Sequence, residues 1–403
     1  MSTTAIPIAP TDGPYTPLRP PRPARTFEGS VGFVSTFPPT KCGLATFTAS
    51  LAGALGATGP IGVVSCVDER GETVSSPEVV AEWVRGSRSS LAGAAQALAA
   101  YDTVVVQHEF GLFGGEDGAD ILELVSRLEM PVVVVLHTVL ERPSPNQRRI
   151  VEELARVASR IVVQSEVAGR RLLGAHEVDS SAVVVIPHGA PANLGPLPLR
   201  PDPTRRPSIL TWGLIGPGKG IEFAIEALAE LTDLTPLPRY VVLGETHPNV
   251  RKHSGEAYRE SLHARASALG VAHMIEFLDG YRDTAAVLAE VRKADLVLLP
   301  YRSRDQVVSG VLVEAIGSGK PVVSTAFPHA VELLSGGSGV VVPHDDPAAI
   351  AAALRTLLTD HGAAARAAAA ARRQAVTLTW ENVGLRYRQV TRGVRSACAV
   401  SSL

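Results

Sequence analysis

The stretch PHGAPANLGPLPLRPDPTRRPSILTWGLIGPGKG, residues 187–220, divides the chain. From Pro191 to Pro207 it is crowded with proline and shows neither helical nor strand periodicity, which marks a linker. It then becomes SILTWGL (208–214), a strand-length run, followed by a glycine-rich turn and a helix expected from Lys219. Upstream, short β-branched runs alternate with alanine-rich stretches: VGFVSTF (31–37), IGVVSCV (61–67), DTVVVQHE (102–109), PVVVVLH (131–137), RIVVQSE (160–166) and AVVVIPHG (182–189). Downstream the pattern repeats after 208–214 with RYVVLGE (239–245), IEFLDGY (275–281), DLVLLPY (295–301), PVVSTAF (321–327) and SGVVVP (338–343).

Runs that are apolar at every position, not at alternate ones, belong to parallel strands covered on both faces. The sequence therefore predicts an α/β protein of two Rossmann-like domains, each with six strands. Helices are expected at 219–231, 254–269, 283–293 and 347–375, and a last one around Trp380–Thr391. In that last helix Trp380, Val383, Leu385 and Tyr387 need a surface to cover, which the first domain could supply. The expected organisation is a proline-rich tail at 1–28, a first domain at 29–195, a linker at 196–207, a second domain at 208–376 and a returning helix at 377–403.

Composition narrows the function. Hydrophobic residues make up 45% and charged residues 19% of the chain, enough for two real cores. A formal net charge of -2 offers no field for nucleic acid, so phosphate recognition must be local. Cys42, Cys66 and Cys398 are odd in number and lack CxxC spacing, which speaks against a disulfide framework or a zinc site and fits a reducing cytoplasm. No uninterrupted apolar run approaches the roughly 18 residues of a membrane span; VVVVL at 132–136 is of strand length. Residues 1–28 lack the apolar stretch and cleavage site of a secretion signal. Between Glu141 and Arg171 seven Arg stand against four Glu; a peripheral contact with anionic lipid is one reading, a solvated helix face the plainer one.

Ligand crevices in doubly wound sheets lie beyond the carboxyl ends of the strands, and the unusual residues of this sequence sit there. In TFPPTKCGLATF (36–47) Gly43 opens a helix whose amides could face an anion, with Cys42 as a small filler. In WGLIGPGKG (212–220) Gly216 and Gly218 permit close backbone approach, and Lys219 supplies a positive charge for a leaving diphosphate. In the run from Tyr301 to Pro321, Gln306 lies in a loop, Ser309 and Gly310 start a helix, and Glu314 on that helix suits a ribose diol. His108, His137, His188 and His247 end strands without the spacing of a metal cluster, so no metal is expected. Asp345 and Asp346 before Pro347 read as helix capping.

Together these segments resemble glycosyltransferase family 4, the retaining enzymes of GT-B fold, from about Val31 to Thr391. PPTKCGLATF is similar to the family's PPxxGG loop, VIPHG (185–189) to its VIPNG, GLIGPGKG to its phosphate-binding turn and EFLDGY (276–281) to its nucleobase turn. The resemblance implies a donor site built from Gly43, Gly216, Gly218, Phe277, Leu278, Ser309, Gly310 and Val311 in the cleft between the domains. It implies that His137 reaches the donor sugar, that Lys219 holds the pyrophosphate and that Glu314 holds the ribose. Leu214 stands where the family has an arginine, and Gln306 where it has the first of two glutamates. Gln306 keeps hydrogen-bonding capacity but brings no negative charge.

The expected activity is transfer of a hexose from a nucleoside diphosphate sugar to an acceptor hydroxyl with retention and without a metal; the donor is a co-substrate and no cofactor is expected. The acceptor, a sugar, glycan or lipid-linked sugar, would lie near Gly43, His108, Glu109 and the glycine-rich segment GLFGG (111–115), expected to move. Sugar-nucleotide epimerisation, glycoside phosphorolysis and non-catalytic sensing of a sugar nucleotide stay open as alternatives.

Overall fold

The computed structural model describes residues 29–73, 76–195, 204–280 and 282–401. The expected tail at 1–28 and most of the linker lie outside them, as does Tyr281 at the end of one expected strand.

The first sheet comprises β1 (Val31–Ser35), β2 (Ile61–Val67), β3 (Val79–Val84), β4 (Thr103–His108), β5 (Val132–Leu136), β6 (Arg160–Val163) and β7 (Val183–Val185). The second comprises β8 (Ser208–Trp212), β9 (Arg239–Leu243), β10 (Ile275–Leu278), β11 (Leu296–Leu299), β12 (Val322–Thr325) and β13 (Gly339–Val342). The orders are β3-β2-β1-β4-β5-β6-β7 and β10-β9-β8-β11-β12-β13, and every described pairing is parallel. In both sheets the winding reverses beside the first strand, between β1 and β4 and between β8 and β11. Those two switch points open the crevices that hold ligands in such folds.

β3 was not among the expected strands. It is an edge strand, half-exposed along much of its length, so VVAEWV lacks the continuous apolar run by which the central strands announce themselves. Three expected helices also differ. The helix expected at 254–269 runs from Ala257 to Ala268, and a separate helix, Pro248–Ser254, precedes it and ends at Gly255, whose φ is 58°. The stretch 347–375 splits into Pro347–Thr359 and His361–Leu378, because Asp360 leaves helical geometry and accepts a bond from the Ala363 amide at 2.9 Å. Lys219 closes a short 3-10 turn, Pro217–Lys219, and the helix starts only at Ile221.

The last helix, Trp380–Ser401, packs on the helix Gly43–Gly56 of the first domain. Val383, Tyr387 and Val394 join Phe33, Phe47, Leu51 and Leu55 in one buried cluster, each worth roughly 1.5–3 kcal/mol. Leu385, expected on that face, is 47% exposed. A position two residues from Val383 points some 200° around a helix, so the two cannot share a stripe. The returning chain is fixed by backbone bonds: the Ala190 amide donates to Leu378 at 2.7 Å and the Trp380 amide to Ala190 at 3.1 Å.

The two halves also meet across the cleft. The Glu332 carboxylate, from the second domain, accepts bonds from the Glu166 and Val167 amides of the first at 2.9 and 2.7 Å. It thereby caps the helix Glu166–Ala175. Beside it the Ser165 hydroxyl donates to Val307 at 2.8 Å and Arg171 to the Asp305 carbonyl at 2.8 Å. Among the described residues no helix is long and apolar enough to cross a membrane.

Candidate active site

A cavity of about 910 Å³ lies between the two sheets. The first domain lines it with the Thr36–Phe47 segment, Glu109, His137 and His188; the second lines it with Gln306, Gly310, Val311 and Glu314. Each of these follows a strand, and most follow strands next to a switch point. Trp380 of the returning helix completes the wall.

Glu314 sits on the helix Gly310–Gly317, whose N-cap Ser309 accepts from the Leu312 amide at 3.3 Å. Its carboxylate accepts from Trp212 Nε1 at 3.3 Å. Burial outweighs that bond and pushes its pKa up from 4.5 to about 7. Near neutral pH the unliganded site thus holds a carboxyl group poised between two states. The amides of Gly310 and Val311, in the first turn, have no acceptor among the described residues.

His137 is held from both sides. Its Nε2 and Gln107 Oε1 are 2.7 Å apart, and Gln164 Nε2 donates to its Nδ1 at 3.0 Å. With one donor and one acceptor around it the ring is neutral, and burial takes its pKa down to about 3. Both ring nitrogens are occupied, so a side-chain hydrogen bond to the donor sugar would require one glutamine to let go. Gln306, which lines the same cavity, donates its side-chain amide to the Val308 carbonyl at 2.9 Å.

Lys219 is not part of the cavity wall but borders it. A Cβ at Gly213 would lie 3.8 Å from Lys219 Nζ and 3.9 Å from a methyl of Val311, so the ammonium and the helix start flank one strand end. The ammonium donates to the Tyr301 hydroxyl at 2.9 Å and lies 4.1 Å from the centre of that ring. Gly220 beside it has a φ of 61° and leaves no room for a side chain against the Pro300 carbonyl. Gly216 and Gly218 belong to the same turn, as does Leu214, which brings no charge.

Other expected residues stand apart. His108 is wholly buried against Phe110 and Phe113 and is not on the cavity wall; burial lowers its pKa to about 4. Its neighbour Glu109 does line the cavity, accepts from Thr138 at 2.6 Å and has a pKa raised by burial. In GLFGG, expected to move, Leu112 and Phe113 are core residues. Phe277 and Leu278 lie on the edge strand β10, outside the cavity lining; Phe277 packs on His263, and the Leu278 carbonyl accepts from Gly244 at 3.0 Å. Cys42 is more than a filler: it caps the helix at Gly43, its sulfur 3.4 Å from the Ala45 amide. Asp346 caps as expected, whereas Asp345 pairs with Arg304 at 2.9 Å.

The residues that hold these side chains, Trp212, Gln107, Gln164 and Tyr301, were not singled out in the sequence. Trp212, Gln107 and Tyr301 lie inside or at the end of strand runs, where position at a strand end is the only signal they give.

Residues 200–374 match the family model described as Glycosyl transferases group 1. The D-inositol 3-phosphate glycosyltransferase of Actinosynnema mirum is 30% identical over 225 residues, 50% of this chain and 51% of that protein. The one from Segniliparus rotundus is 29% identical over 223 residues, 49% of this chain and 46% of that protein. The chain thus spans about half the length of the curated relatives it matches. Among solved structures, Anabaena Alr3699/HepE in complex with UDP and glucose superposes with a TM-score of 0.70 at 18% identity, over 93% of this chain and 100% of that one. Sucrose-phosphate synthase from Thermosynechococcus elongatus gives 0.70 at 17%, over 91% and 99%. The fold is therefore GT-B, and it is over residues 200–374 that the chain resembles the glycosyl transferases of group 1.

Proposed function

We propose that this chain is a glycosyltransferase that moves a hexose from a nucleoside diphosphate sugar to an acceptor hydroxyl with retention at the anomeric carbon. The observation that carries the reading is that His137 and Glu314, from opposite domains, line one cavity large enough for a sugar nucleotide, with Lys219 at its border. In this reading the ribose diol donates to Glu314, and the diphosphate takes the amides of Gly310 and Val311 together with Lys219 once the ammonium leaves the Tyr301 hydroxyl. Charge that develops on the leaving phosphate is then met by fixed dipoles and one cation. The sugar faces the neutral wall of His137 and Gln306. On the opposite side, Glu109 and Thr138 offer the acceptor an acid–hydroxyl pair. The names of the inositol phosphate glycosyltransferases and of the UDP-bound neighbour support the reaction class and a nucleotide donor.

A thermal-shift screen of UDP, GDP and ADP and their hexose conjugates tests it. A ligand present at about 100 times its dissociation constant adds about 2.7 kcal/mol of stability. No shift with any of them would remove the donor site; a shift with hexose conjugates, followed by transfer to a panel of hydroxyl acceptors, supports it. Conversion of the sugar nucleotide with no acceptor present would favour an epimerase instead.

A further inference from the structure

His188 occupies the same corner of the cavity as the start of the helix Gly310–Gly317. Its Nδ1 carries the proton, which it donates to the Gly189 carbonyl at 2.6 Å, so Nε2 is left with a lone pair. That nitrogen faces the helix: a Cβ on Gly310 would lie 3.0 Å from it, which is tighter than side chains normally pack. Glycine at 310 is what lets the imidazole stand against the first turn. The ring is held by Phe47, with centroids 5.0 Å apart, and by Trp380, with centroids 5.6 Å apart. The other histidines of the cavity and the helix start are committed: both nitrogens of His137 are bound to glutamines, and His329 Nδ1 accepts from the Ser309 amide at 2.9 Å. His188 Nε2 has no partner among the described residues.

A phosphate oxygen that accepts from the Gly310 and Val311 amides comes up against this lone pair. Two acceptors face to face repel, and the ring cannot turn its existing proton toward the phosphate without breaking the short bond to Gly189. The arrangement becomes attractive when Nε2 gains a proton.

We propose that His188 is a donor-site residue whose Nε2 takes a proton from solvent when a nucleoside diphosphate seats on the Gly310 and Val311 amides, and donates it as a charge-assisted hydrogen bond to a phosphate oxygen. The proposal rests on the donor reading above and deepens it. It gives the pocket a second cation that exists only in the bound state, in a chain that has the uncharged Leu214 in the turn before Lys219. The titratable groups that share this corner are His137, His329 and Glu314. The two histidines stay neutral because burial disfavours their charged forms, and both nitrogens of His137 and Nδ1 of His329 are already bonded. Glu314 works in the opposite sense, since a ribose diol favours its ionised form. In the free protein burial holds His188 at about 4, so the proton is absent at neutral pH until the anion arrives.

The test is titration of UDP and of GDP into the full chain and its His188→Asn variant from pH 5.5 to 7.5, in paired buffers of different ionisation enthalpy. The wild type should take up about one more proton per nucleotide than the variant. The ratio of variant to wild-type Kd should fall about tenfold for each pH unit gained while pH stays below the bound-state pKa. Equal proton uptake and a ratio independent of pH, with nucleotide still bound, would overturn the role of His188 and leave the donor reading standing. Failure of the wild type to bind either nucleotide would overturn both. Should His188→Asn not fold, wild-type protein labelled at histidine Cε1 gives the same answer: one imidazole must change from neutral to imidazolium at pH 6.5 on adding UDP or GDP. No change in any of them overturns the proposal.

Discussion

Glu314→Gln should make the protein more stable and a worse binder, and the size of the first effect follows from the burial of the carboxylate. In the folded chain its pKa is raised from 4.5 to about 7, and Trp212 supplies one hydrogen bond against the cost of desolvation. Below pH 4.5 the group is protonated in both folded and unfolded chains and contributes nothing to the difference. Between 4.5 and 7 the unfolded chain gives up its proton while the folded chain keeps it, so stability drains away as pH rises. Above about 7 the loss levels off at roughly 3 kcal/mol, an upper value because water can reach part of the site. Glutamine carries no charge and its carbonyl oxygen can still accept from Trp212 Nε1. The variant should therefore match wild type at pH 4.5 and exceed it at pH 8, by on the order of 5–10 °C in Tm if the second domain unfolds as a unit. Thermal melts of both proteins across pH 4.5–8 read this directly. Parallel curves would refute the reasoning. The same variant should bind nucleoside diphosphates more weakly, because an uncharged amide is a poorer acceptor for two hydroxyls. A gain in stability beside a loss in binding is the signature of a site that stores desolvation cost for its ligand.

Lys219→Ala should lower transfer about 10²–10³-fold, the scale of losing one group that meets leaving-group charge, with little change in Tm; an unchanged rate would exclude the ammonium from the reaction. Gln306→Glu puts a carboxylate where an amide now donates to the Val308 carbonyl, so it should cost about 1–3 kcal/mol of stability; a rise in transfer despite that cost would show that a negative charge at this position helps the reaction. Glu332→Ala removes the acceptor of two amides across the cleft and should enlarge the radius of gyration in solution scattering and raise the donor KM; an unchanged radius would mean that the other contacts hold the halves together.

The fold was legible because its central strands are apolar at every position and because the pattern restarts after a proline-rich bridge. One edge strand escaped: VVAEWV in β3 is only partly covered, so it carries half a signal. The helix break at Asp360 was hidden inside a window whose average is strongly helical, and the short helix before Gly255 lacked a pattern of its own. In the site, strand ends and glycine-rich turns pointed to Glu314, His137, Gly310 and Gln306, which do share a cavity. What the sequence could not express is direction. His108 and His137 both end strands, yet one is sealed among phenylalanines and the other looks into the cleft. Nor could it express partnership, since Gln107 and Gln164 reach His137 from 30 and 27 residues away.

That partnership bears on how the cleft works. The chain links the domains at Ala190, whose backbone pairs with Leu378 and Trp380, and the cleft is fastened by Glu332, Ser165 and Arg171. Two of those fastenings, Val307 and Asp305, belong to the loop that carries Gln306, and His329 fixes the next residue pair through the Ser309 amide. A movement that opens the cleft must therefore release the Gln306 loop together with the helix start it precedes. In the donor reading proposed above, a diphosphate on the Gly310 and Val311 amides would touch the same short segment that the first domain holds through Ser165 and Arg171, so binding there would be coupled to the fastening of the cleft.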